Sequence, residues 1–144
     1  MLPVGLIFTS EIVGKEIIGE TSKGIFGLLS GINEFNIQYV NGILEELDIY
    51  KVVELVESLF YDAHREHHSF DFIPAQLLAY KNLHEINIKI KQELEELKKS
   101  IEDSKEFWFK SFRTPPYHKI IENLKRHKRI LDRRLELLLR LQNC

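Results

Sequence analysis

Cysteine is nearly missing from this chain: of 144 residues only Cys144 carries a thiol. An intramolecular disulfide and an all-cysteine zinc site are therefore excluded. Long uncharged runs are missing too. The three longest, Met1 to Ser10, Gly24 to Asn33 and Phe35 to Leu44, hold ten residues each, about half of what a helix needs to cross a hydrocarbon core of roughly 30 Å. No transmembrane span is expected, and the apolar run Met1 to Phe8, with no basic residue before it, makes a poor signal peptide. A cytoplasmic protein is the resulting expectation. The P-loop, the GxSxG elbow and the GxGxxG turn are absent as well, which removes phosphate-loop and nucleophile-elbow chemistry. No cofactor is expected. The chain is 44% apolar and 29% charged, enough for one globular domain whose core needs neither metal nor disulfide.

The formal charge of −2 hides a strong asymmetry. Residues 1–80 carry 4 Lys/Arg against 12 Asp/Glu, residues 81–112 carry 7 of each, and residues 113–144 carry 9 against 3. An acidic front and a basic tail can attract each other within one chain or between copies, or present the tail to an anionic partner.

Hydrophobic spacing points to an all-α fold. Val4, Leu6 and Phe8 alternate as in a short strand, but from Glu11 to Ile32 the apolar residues fall in twos and threes, as on a helix. Glycines at 14, 19, 24, 27 and 31 each weaken a helix by up to about 1 kcal/mol, so this stretch predicts one or two short helices. Asn33 is a candidate N-cap for a helix with Phe35, Val40, Ile43, Leu44 and Leu47 on one face, and Asp48 a candidate cap for the next. That helix fades in the histidines of 64–68. Pro74 suits the first turn of the next helix.

The clearest signal lies in that next helix. Leu83, Asn87, Ile90, Leu94, Leu97, Ile101, Ser104 and Trp108 recur at alternating steps of four and three, the seam of a coiled coil. With neither Gly nor Pro between Ala75 and Ser111, one helix over about 75–111 is predicted. Arg113-Thr-Pro-Pro116 stops it, and Thr114 can cap a last helix over about 115–142, where Tyr117, Leu124, Leu131 and Leu138 repeat every seven residues. The expected architecture is a bundle of short helices over residues 1–72 and a long antiparallel helical hairpin over residues 74–143, forming one continuous unit. In the seam, Asn87 and His127 are expected to fix helix register rather than to act as ligands.

Several constellations are candidates for function. His64 and His68 share a helical face and could hold a divalent metal with Asp62 or Glu66 nearby, although neither HExxH nor HxxEH is present; a solvated helix end is the plainer reading. The pairs His64/His68, His118/Glu122 and His127/Asp132 reproduce spacings of hemerythrin-like di-iron bundles, but the last two share one helix and cannot converge as ligands from separate helices would. Arg113-Thr-Pro-Pro-Tyr-His118 resembles the RxxxxH motif of HEPN-type ribonucleases, which are small all-helical dimers. The resemblance spans six residues and departs from the usual pattern in its two internal prolines. It implies Arg113 stabilising phosphate charge and His118 acting in the acid–base chemistry of RNA cleavage.

The last constellation is the basic block Lys125-Arg-His-Lys-Arg129 followed by Arg133-Arg134. Arg126, Arg129, Arg133 and Arg140 lie near one stripe, flanked by Lys125 and Lys128, and suit an acidic protein face, phosphates or anionic lipid. No aromatic residue follows Tyr117, which favours protein, including this protein's own residues 1–80, over nucleic acid. The expectation is a non-catalytic assembly or adaptor subunit that binds itself or another protein through the hairpin and its basic last helix, with a homo-oligomer the favoured state. An RNA-cleaving enzyme using Arg113 and His118, and a metal-binding bundle using His64 and His68, are the alternatives.

Overall fold

The computed structural model describes residues 15–66, 74–104 and 117–142, and among these every regular element is an α-helix. They are α1 (Lys15–Glu34), α2 (Gln38–Leu47), α3 (Ile49–Glu66), α4 (Pro74–Ser104) and α5 (His118–Gln142). Val4, Leu6 and Phe8 lie outside the described residues. No helix among the described residues is long and apolar enough to cross a membrane.

Residues 15–34 form one continuous helix of twenty residues, longer than the one or two short helices expected. The glycine penalty is local, whereas Ile25 and Ile32, a heptad apart, are both fully buried in the core; burying such a side chain is worth about 1.5–3 kcal/mol, more than one glycine removes. Two of the glycines also have a packing role. A Cβ on Gly24 would lie 2.7 Å from Lys91 Cε, and one on Gly31 3.2 Å from Lys98 Cε, so the lysine stems of α4 lie across the bare backbone of α1. Because 24 meets 91 and 31 meets 98, α1 and α4 run parallel.

The stop signals differ from the expected caps. Asn33 sits in the last turn of α1, and the chain leaves that helix through Asn36, whose φ of 56° is left-handed. The N-cap of α2 is Ile37, with no side-chain cap bond. Asp48 precedes α3 as expected, but in a left-handed turn (φ 53°) that ends α2 by sending its N–H to the carbonyls of Leu44 and Glu45. Asn and Asp are the non-glycine residues that tolerate this conformation best, so both breaks fall on residues suited to that backbone geometry.

The most extensive helix pairing joins α4 to α5, followed by α1 against α4. Arg134 Nη1 donates to the Asn82 carbonyl at 2.7 Å, and His127 Nε2 stands 3.7 Å from Glu93 Oε1. As one helix ascends the other descends, so α4 and α5 lie antiparallel. Every expected α4 position from Leu83 to Ile101 is buried, Ser104 only partly. On α5 and the residue before it the buried set is Tyr117, Ile121, Leu124, Lys128, Leu131, Leu135 and Leu138, again at steps of four and three. Residues 105–116, with Trp108 and the Arg113 to Pro116 turn, lie outside the described residues. α3 closes the bundle through Tyr80, whose hydroxyl donates to the Leu59 carbonyl at 3.3 Å while its ring meets Phe60 edge-on.

Candidate functional site

The core-facing side of α5 fixes what its other side can present. With Leu124, Leu131 and Leu138 fully buried, residues seven apart but half a turn away must face water. Arg126, Arg133 and Arg140 occupy that outer face with Arg129 beside them, and all four are exposed. Arg126 donates to Asn123 Oδ1 at 3.0 Å, and Arg140 pairs with Glu136 at 2.6 Å one turn below. Arg129 and Arg133 hold no hydrogen bond or ion pair with any described residue. Glu122, on the same face, is engaged by Lys125 at 3.4 Å. Pairs of this kind along an exposed helix contribute only a few tenths of a kcal/mol, so a partner's carboxylate can compete for the arginines.

One apolar side chain interrupts the cations. Leu137 is 53% exposed, one turn after Arg133 and one turn before Arg140. Reading the sequence alone misses it because Leu137 stands in the run Leu137-Leu-Leu139, and apolar neighbours of Leu138 pass for core; its position relative to the heptad is the signal that separates it.

Lys128 and Arg134 do not join this face. Lys128 is buried along its stem and its Nζ reaches both carboxylate oxygens of Asp132 at 2.8 and 3.0 Å. It occupies a seam position, where four methylenes pack among leucines and the ammonium escapes at the rim. Arg134 is engaged by the Asn82 carbonyl. Beside them His127 points inward toward Glu93. Burial lowers its basicity below the ordinary histidine range, helped by Arg126 and Lys89, and Glu93 offsets only part of this. Its Nδ1 and the Glu93 Oε2 are buried without a hydrogen-bond partner among the described residues. Asp132 is turned to Lys128 and His127 to Glu93, so the His127/Asp132 pair does not act as one ligand set.

The remaining candidates are placed less fully. His118 is exposed at the first residue of α5, while Arg113 lies outside the described residues. His64 lies in the last turn of α3, where only the backbone is described, and His68 falls outside the described residues. Among the described residues no three His, Cys, Asp or Glu side chains converge as a metal site would require. No protein-family model, no curated protein and no solved structure matches this chain.

Proposed function

We propose that this protein is a non-catalytic assembly or adaptor subunit that binds protein through the outer face of α5. The observation that carries the reading is the exposed row Arg126, Arg129, Arg133 and Arg140 with Leu137 set among the arginines. Arginine and a central apolar anchor are what protein interfaces concentrate, because a guanidinium gives directional bonds while an excluded leucine supplies the desolvated centre. The face lacks the aromatic side chains on which single-stranded nucleic acid stacks. A cytoplasmic setting belongs to the proposal, the ordinary one for a chain with a single cysteine.

A photo-reactive residue at Arg129 or Arg133 of the full chain, irradiated in living cells, is expected to give covalent adducts with protein. The same residue at exposed Glu102 on α4 is expected to give few. Adducts with RNA from Arg129 and Arg133, or equal yields from all three positions, would overturn the proposal.

A further inference from the structure

An open groove of about 400 Å³ lies between α1, α2 and the start of α3. Its walls are mixed: Phe26, 54% exposed, leans on Tyr50 with ring centroids 5.0 Å apart, Leu29 and Leu44 line the space between, and the polar Ser30 and Asn41 stand among them. Among the described residues the charged side chains lining it are Glu45 and Asp48, both exposed. Carboxylates also outnumber cations along this part of the chain, although Lys98 of α4 lies beside Gly31. From Glu34 to Asp62 the chain carries seven carboxylates and one cation, Lys51. An exposed phenylalanine leaning on a half-buried tyrosine, in a slot with leucines and an acidic rim, is the complement of an apolar side chain flanked by cations.

The chain owns that complement. Leu137 stands one turn from Arg133 and one turn from Arg140 on the outer face of α5. It cannot enter the groove of its own molecule. Gly31, beside the groove, is level with Lys98 of α4, whereas Arg134 is level with Asn82; sixteen residues of α4 separate the two levels, roughly 24 Å at 1.5 Å per residue. A second copy can supply the Leu137 that reaches this groove, and where a two-fold axis relates the copies the two contacts are equivalent and the assembly closes.

The geometry points to a homodimer in which Leu137, with Arg133 and Arg140, docks into the groove rimmed by Glu45 and Asp48 of a second copy. This rests on the reading of α5 as the interaction face and names its partner. Both ends of the charge asymmetry are thereby used: the acidic front of one molecule receives the basic tail of the other. The contact is sensitive to salt, since its charges are at the rim and screened within about 8–10 Å at ordinary ionic strength.

The test is the mass in solution of the full chain and two charge-reversed variants, Arg133→Glu and Glu45→Lys, with circular dichroism to show that each remains helical. Wild type is expected at twice 17.0 kDa and each variant alone near the monomer mass. Mixed in equal amounts the two variants are expected to form a one-to-one dimer, because the reversed helix of one then faces the reversed groove of the other. Monomeric wild type, or a mixture that stays monomeric, overturns the inference while leaving a different protein as the partner of α5. A dimer lost in Arg133→Glu but kept in Glu45→Lys overturns the groove alone. A dimer indifferent to both substitutions overturns the groove and the role of α5 together.

Discussion

Asn87 and Lys128 occupy positions where the four-and-three register places apolar side chains elsewhere along the same helices. Lys128 solves its burial locally through Asp132, but Asn87 Oδ1 is buried with no hydrogen-bond partner among the described residues. Leaving such an oxygen unsatisfied costs about 1–3 kcal/mol, a cost tolerated where a polar residue holds two helices in one register. Asn87→Leu is therefore expected to raise stability by about 1–2 kcal/mol in urea denaturation; a loss would contradict this account of the site. Histidine gives the second prediction. Burial depresses His84 more than Glu85 raises it, and depresses His127 despite Glu93. As pH falls the unfolded chain, with histidines near about 6.5, takes up protons before the folded one. Stability from these two residues is complete above that value and is lost below it, as pH drops toward the depressed folded values. The melting midpoint is expected to be lower at about pH 5.5 than at about pH 7.5, with a smaller difference in His84→Gln/His127→Gln; an undiminished difference would exclude the histidines as its source. The inward turn of Lys128 is legible only through register. Read as composition, Lys125 to Arg129 is a solvated basic block, and only the steps from Leu124 to Lys128 to Leu131 reveal that one of its cations faces the seam.

Among the helices, α4 is the easiest to read from sequence and α1 the hardest, for opposite reasons. The spacing of α4 states its own buried side, since Leu83, Ile90, Leu94 and Leu97 have no competing signal and all are fully buried. In α1 the glycines argue locally against a helix, and what they gain becomes visible only when Lys91 and Lys98 are laid across Gly24 and Gly31. The α1 to α2 break falls at Asn36 rather than Asn33 because both are plausible punctuation, and backbone handedness rather than side-chain capping decides between them. The α4 and α5 pairing yields its own prediction. Leu94 and Leu131 are both fully buried, and a carboxylate at either position would lie unpaired among apolar side chains. Leu131→Asp is expected to destabilise the protein by several kcal/mol, roughly the 3–5 kcal/mol range of a core disruption. A denaturation midpoint close to wild type would mean that α5 does not pack as described.

At the scale of the whole molecule, the charge asymmetry is plain in the sequence, but its use is not. The acidic half folds into α1, α2 and α3 around a groove, and the basic tail becomes a helix whose apolar side is consumed by α4, leaving cations and Leu137 outside. No linear motif reports such a groove, because Phe26, Leu44 and Tyr50 come from three different helices. On this reading the outer face of α5 joins the chain to the acidic groove of another copy. Light scattering on wild type and Leu137→Glu at low and high salt tests that most directly. Wild type is expected at twice 17.0 kDa at low salt, falling toward the monomer as salt rises, and Leu137→Glu at the monomer mass at every salt concentration. Equal masses for the two proteins under all conditions would contradict it.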